Sequence, residues 1–274
     1  MRSKRTLVIC LACLAVFAVP AAAGARQLLV GGSTSVQPLA EKLAAAYHAH
    51  THRPKPRVSG CESDCGLSEL AKGELNIADV SRNPLKADKD YHVTLDWTKI
   101  AHDAVCVITN SRNPVPTMSK ETVEKIFTGD YTNWSQVPGS PLKGKVISVF
   151  DRNGSSGTQD AFEHIFFRNP ESTKVTQRAS EEASNGLEQS NVKGTEGGIG
   201  FVSHAFTRGV HAVPYQGVGC TLHNARTGQY KGIRNFWMVT KGIPHGETLR
   251  FLRWVTSGNR VTKEIINSEW IAIH

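Results

Sequence analysis

The sequence predicts an α/β protein. Three observations point to it: short apolar runs of strand length recur along the chain, Gly/Ser-rich turns follow several of them, and the segments after those turns carry apolar residues at helical spacing. Alternation of this kind puts loops at the carboxyl ends of strands, where α/β proteins present their functional groups.

Gln27-Leu-Leu-Val30 reads as the first buried strand. Gly31-Gly-Ser-Thr-Ser35 turns it into a helix with Leu39, Leu43, Ala46 and Tyr47 on one face and Pro38 in its first turn. A second unit follows, with a strand over 57–59, a loop from Gly60 to Gly66, a short helix from Leu67 to Lys72 stopped by Gly73, and a strand over 76–80. Ala104-Val-Cys-Val-Ile-Thr109 is a continuous apolar strand. Ser119 then caps a helix bearing Val123, Ile126 and Phe127 that ends at Gly129. A second α/β block holds a strand over 146–150, the loop Asp151 to Thr158, a helix with Phe162, Ile165 and Phe166, and the strand Gly198 to Val202. The strand Phe236 to Thr240 and a helix from Glu247 to Thr256 read as a return to the first block.

The composition fits a globular domain, with 274 residues, 39% hydrophobic and 20% charged. Residues 1–25 join a basic start, an apolar run from Leu7 to Val19 and small residues ending at Ala25, the pattern of a cleaved export signal. The run is shorter than the roughly 20 residues of a membrane span. Removing Arg2, Lys4 and Arg5 lowers the basic count from 32 to 29 against 24 acidic residues, so the mature charge is +5. No basic run or aromatic interleaving directs that charge to nucleic acid.

Four cysteines remain in the mature chain: Cys61, Cys65, Cys106 and Cys220. In an exported protein an even count reads as two disulfides. Of three possible pairings, Cys61 with Cys65 closes a tight loop and Cys106 with Cys220 ties two distant segments, and this one is favoured.

Three loops present glycine with hydroxyl residues just before helices: Gly32-Ser33-Thr34-Ser35, Ser63-Asp64-Cys65-Gly66 and Gly154-Ser155-Ser156-Gly157-Thr158. Unpaired amides at a helix start attract anions, and glycine lets the backbone approach them. A single such loop is commonly no more than an N-cap. Three together, one beginning at Arg152, predict an anion site.

These motifs resemble the phosphate-binding periplasmic proteins of ABC transporters, within the type II solute-binding fold. Gly32-Ser-Thr-Ser-Val-Gln-Pro-Leu39 is similar to that family's opening motif, Asn76-Ile-Ala-Asp-Val-Ser-Arg-Asn-Pro-Leu85 to its second-strand motif, and Arg152-Asn-Gly-Ser-Ser-Gly-Thr158 to its anion loop. Gly198-Ile-Gly-Phe201 and Phe251-Leu-Arg-Trp-Val-Thr-Ser257 resemble later segments of the family. The resemblance implies two lobes around an interlobe cleft, with residues 26–106 and 222–274 in one lobe and 107–221 in the other. It implies phosphate contacts from Thr34, Ser35, Ser63, Ser81, Arg152, Ser156, Gly157 and Thr158. It further implies a monomeric periplasmic protein without catalytic activity, cofactor or metal, which hands inorganic phosphate to an inner-membrane permease.

The chain departs from that family in two places. Ser81 stands where the best-known branch has an Asp that accepts the proton of hydrogen phosphate. Gly154 stands where that branch has an acid paired with the loop arginine, which leaves Asp151 or Asp64 as expected partners for Arg152. The competing expectations are an exported phosphatase-like enzyme using Ser156 and Arg152, or a binder of another oxyanion such as sulfate or molybdate. His48, His50 and His52 lie at a helix end among basic residues and read as a solvated turn. Asp79 and Arg82 read as a surface ion pair, and the five tryptophans as packing residues.

Overall fold

Nine strands share one continuous hydrogen-bonded sheet in a computed structural model that describes residues 27–273. The strands are β1 (Leu29–Gly32), β2 (Arg57–Gly60), β3 (Ile77–Val80), β4 (Leu95–Thr109), β5 (Ser148–Arg152), β6 (Ser180–Glu182), β7 (Gly198–Ser203), β8 (His211–Ala212) and β9 (Ile233–Lys241). The helices are α1 (Gln37–Thr51), α2 (Ser63–Lys72), α3 (Lys120–Thr128), α4 (Gly157–Phe166), α5 (Asn185–Gly194), α6 (Leu222–Arg226), α7 (Gly246–Val255) and α8 (Arg260–Glu269). The sheet order is β2-β1-β3-β9-β4-β7-β5-β6, with β8 also pairing with β4. The β2-β1-β3 and β7-β5-β6 groups are internally parallel, whereas β9 and β4 are antiparallel to their neighbours. The predicted export signal lies outside the described residues.

Local chemistry accounts for the main elements. Proline in the first turn of α1 lacks only an amide that would be orphaned anyway, and Leu39, Leu43 and Tyr47 bury its inner face. In α3 the Ser119 hydroxyl accepts from Thr122 N, and Gly129 closes the helix at φ 88°. Gly32 ends β1 at φ 131°, where a β-carbon would stand 2.4 Å from the Asp79 carbonyl oxygen. Only glycine lets the chain turn there while Ser33 N donates to that same carbonyl at 2.8 Å.

Several boundaries differ from the sequence reading. α2 starts at Ser63 and not Leu67, so the second loop is itself the first turn of a helix. β4 begins at Leu95 and not Ala104, because a register shift between Lys99 and Ala101 breaks the alternation that would have marked its first half. α5 buries Asn185 and Glu188 beside Val192, so it carries no strong apolar stripe, whereas α8 packs Ile265 and Ile266 against the first core and extends the chain's last block beyond the predicted helix.

Apolar residues gather on either side of the cleft. One core joins Leu39, Leu43, Tyr47, Phe236, Phe251 and Trp270, and a smaller cluster under α2 adds Leu67, Leu70, Val80 and Val239. The other core joins Phe127, Trp134, Phe162, Phe166 and Phe201, with Phe162 stacked on Phe201 at 3.9 Å and with Ala225 and Tyr230 at its edge. β4 places Ile100 and Ala101 in the first core and Ala104 to Ile108 in the second, while β9 places Phe236 and Met238 in the first and Ile233 against the second. Two strands therefore connect the lobes. The tryptophans serve packing: Trp134 and Trp270 are fully buried, and Trp97 meets Trp237 edge-on at 5.9 Å. Cys61 is joined to Cys65 and Cys106 to Cys220.

Candidate functional site

The carboxyl ends of β1, β3 and β5 and the first turns of α1, α2, α4 and α5 meet between the two cores. Thr34, Ser35, Ser63, Ser81, Arg152, Ser156, Gly157 and Thr158 are all buried there. Ser35 Oγ lies 2.8 Å from Thr158 Oγ1 across the cleft. Ser33 Oγ donates to Ser81 Oγ at 2.8 Å, and Ser81 N donates to Ser63 Oγ at 3.2 Å. Gly157 presents its bare backbone to this group, since a β-carbon would stand 2.4 Å from Ser63 Oγ and 2.8 Å from Ser81 Oγ. Ser156 caps α4, its hydroxyl accepting from Thr158 N at 3.2 Å and Gln159 N at 3.4 Å.

Arg152 is the electrostatic centre. Its Nε donates to the Glu182 carbonyl at 2.8 Å and its Nη2 to Thr34 Oγ1 at 3.3 Å. The carboxylate that pairs with Nη2 belongs to Glu62, at the N-cap of α2 in the facing lobe. Neither expected partner holds Arg152. Asp64 instead bonds Arg82 at 2.7 Å, and Asp151 is pushed up to about 6 by burial and then by the charges of Glu181, Glu163 and Glu182. Burial also raises the Glu62 carboxyl, while Arg152 and a hydrogen bond with Ser156 pull it back down. Nη1 of Arg152 is buried with no hydrogen-bond partner among the described residues.

Asp79 and Arg82 do not form the expected surface pair. Arg82 is buried, bonding Asp64 on α2 and Asp88 at 2.6 Å. Asp79 is fully buried with neither carboxyl oxygen bonded, and burial holds its carboxyl well above the usual carboxylate range. The turn after α1 brings His48 Nδ1 against the Arg53 carbonyl at 2.6 Å.

Besides Glu62, two more site residues were not picked out by the sequence reading. Arg234 on β9 hydrogen-bonds Asp103 on β4 through Nε at 2.9 Å, where the strands pass between lobes; its Nη2 lies 2.8 Å from the same carboxylate oxygen without a hydrogen bond, and its Nη1 donates to Thr158 Oγ1 at 2.9 Å. Burial pushes the Asp103 carboxyl up and the Arg234 guanidinium down, and their contact opposes both shifts. Asn185 at the start of α5 donates to Ser35 Oγ at 2.8 Å and Thr34 Oγ1 at 3.1 Å. A lone arginine in a strand and an asparagine after a serine match no motif. The signal available for Asn185 was Ser184 as a helix cap.

With both guanidiniums paired, the centre is nearly neutral, and its remaining polarity comes from hydroxyls, backbone amides and helix starts. Such a site suits a small oxyanion, because many short donors can surround it without a large excess of fixed charge. The model of a PBP superfamily domain matches residues 18–259. The chain belongs to the PBP superfamily. This PBP-superfamily chain is 24% identical over 238 residues to the phosphate-binding protein PstS of Borreliella burgdorferi, covering 83% of the chain and 84% of that protein. It is 26% identical over 246 residues to the PstS of Bacillus subtilis, covering 88% and 79%. Among solved structures, it matches a phosphate ABC transporter substrate-binding protein from Clostridium perfringens with bound phosphate at 27% identity and a TM-score of 0.81, covering 91% of the chain and all of that structure.

Proposed function

We propose that this PBP-superfamily chain captures inorganic phosphate between its lobes and delivers it to an ABC-type importer in the membrane. The observation that carries this reading is the buried guanidinium of Arg152, with one unpartnered NH2 group, set among hydroxyls of Thr34, Ser35, Ser63, Ser81 and Thr158 and the amides around Gly157. The names of the PstS relatives and the bound phosphate in the Clostridium perfringens protein support it.

In this reading Arg152 supplies a charge-assisted contact through Nη1, while Thr34 and Glu62 hold the other end of the guanidinium. Arg234, fixed by Asp103 on the connecting strands, holds Thr158 and adds a second cation at the far wall. The hydroxyls donate where the anion presents a bare oxygen, and one can accept where it carries a proton. Closure about β4 and β9 excludes water and strengthens each of these contacts.

The chain works as a binder and not an enzyme. Ser156, the nucleophile of the phosphatase alternative, is a helix cap whose oxygen accepts two backbone N–H groups, not a serine activated by an adjacent base. The N-terminal composition supports export to the periplasm, and the protein acts there as a monomer.

Calorimetry against phosphate, sulfate, arsenate and molybdate tests the reading. One phosphate per chain, bound more tightly than sulfate, is the expected result. Metal-independent turnover of a phosphomonoester that disappears in Ser156→Ala would instead promote the phosphatase.

A further inference from the structure

The loop that carries Glu62, Ser63 and Asp64 is closed at both ends by one disulfide, Cys61 to Cys65. Each of the three enclosed residues faces the other lobe. Glu62 pairs with Arg152, Ser63 Oγ abuts the backbone of Gly157, and Asp64 N donates to the Ser155 carbonyl at 3.1 Å. Glu62 reaches Arg152 from a backbone at φ 93° and ψ 159°, a conformation that residues with a side chain rarely adopt. It has no capping side chain of its own to hold it there. The amides of Cys61 and Glu62 both donate to the Gly32 carbonyl, at 2.8 and 3.0 Å, and the covalent ring adds the restraint that joins the two ends of this stretch of chain.

We infer that Glu62 is the positioning residue for Arg152 and that the Cys61–Cys65 disulfide holds it in place, so that anion capture responds to thiols. This inference rests on the proposed phosphate-binding reading. Both cysteines of the pair are half-buried and open to attack, whereas Cys106 and Cys220 are buried in the second core. Exchange with a small dithiol is balanced: its thiolate attacks one protein sulfur, the second thiol resolves the mixed disulfide, and the reagent leaves oxidised as the protein gains two thiols. Cys65 Sγ lies 3.6 Å from a Glu69 carboxyl oxygen, which disfavours a thiolate there and makes Cys61 the better leaving group. Once reduced, the 61–65 segment relaxes toward ordinary backbone angles and withdraws Glu62 from Arg152. The guanidinium must then be ordered at the moment of binding, a cost that lowers affinity.

The experiment uses the mature chain, oxidised or treated with dithiothreitol, titrated with inorganic phosphate alongside Cys61→Ser/Cys65→Ser and Glu62→Ala variants. Reduction is expected to weaken binding about tenfold in the wild-type chain. The double-serine variant should match the reduced protein and ignore the reductant, and in Glu62→Ala the ratio of oxidised to reduced affinity should fall to about one. Equal affinity in both redox states overturns the inference while leaving phosphate capture intact. A response that persists in the double-serine variant assigns it to Cys106–Cys220 and overturns it too. Amide hydrogen exchange without phosphate gives a reading independent of the ligand. Faster exchange on reduction in both 61–66 and 152–158 is expected, and a change confined to 61–66 refutes transmission across the cleft.

Discussion

Replacing Gly157 by alanine separates folding from binding, because the two effects have opposite signs. Gly157 opens α4, and its φ lies outside the left-handed region, so alanine fits the backbone. Alanine is the better helix former by at most about 1 kcal/mol, which leaves the open protein as stable or slightly more so. In the closed arrangement the new methyl would stand 2.4 Å from Ser63 Oγ, 2.8 Å from Ser81 Oγ and 3.1 Å from Arg82 N, all contributed by the facing lobe. Ordinary contact begins near 3.5 Å, so the lobes must part by about 1 Å or the serines must abandon their hydrogen bonds. Overpacking of this size costs about 1 to 3 kcal/mol, a roughly 5- to 150-fold loss of phosphate affinity. Calorimetry on the variant, with a thermal melt of the ligand-free protein, measures both signs. Full affinity would show that the lobes do not close on Gly157 and would refute the reasoning.

Other predictions test separate parts of the structure. Arg152→Ala removes the guanidinium with the unpartnered Nη1 and should cost on the order of 2 to 5 kcal/mol of phosphate binding by calorimetry; it should also lower the melt of the ligand-free chain, because the buried Glu62 carboxylate loses its partner. Ser81→Asp should widen the preference for phosphate over sulfate, since a carboxylate repels a fully ionised anion that a hydroxyl tolerates; unchanged affinities for both would place Ser81 outside the site. Asp79 has its carboxyl raised in the folded state by burial, so its contribution to stability is complete below the unfolded value near 4 and is lost as pH rises toward the folded value. Asp79→Asn should therefore flatten the loss of stability as pH rises above about 4, by up to about 1.4 kcal/mol per pH unit, read from urea midpoints, and an unaltered slope would contradict the assignment. Replacing Cys106 and Cys220 by alanine opens a loop of 114 residues and should lower stability by about 4 kcal/mol, or the melting temperature by roughly 10 °C.

What was legible in the sequence is what is local. Gly32, Ser33 and Pro38 announce a strand ending in a turn and a helix start because each acts within a few residues of itself. The eight residues named from the resemblance converge because the three loops and the end of β3 sit at the carboxyl ends of sheet strands and face one another across the cleft. Glu62 was not legible. It lies between two cysteines that claim attention for another reason, and its partner Arg152 is 90 residues away in the other lobe. Arg234 was hidden for the same cause: its significance comes from pairing with Asp103 across two connecting strands 131 residues apart. The polar burial in α5, with Asn185 and Glu188 inward, runs against the apolar stripe that marks helices, and so the helix itself escaped notice.

A crystal structure of the mature chain grown with phosphate tests the central claim most directly. The account predicts one phosphate between the lobes, within hydrogen-bond distance of Arg152 Nη1 and of hydroxyls among Thr34, Ser35, Ser63, Ser81 and Thr158, with Glu62 still paired to Arg152. Phosphate held elsewhere, for instance in the groove between Lys99 and Lys263 beside α8, with Arg152 left untouched, would contradict it.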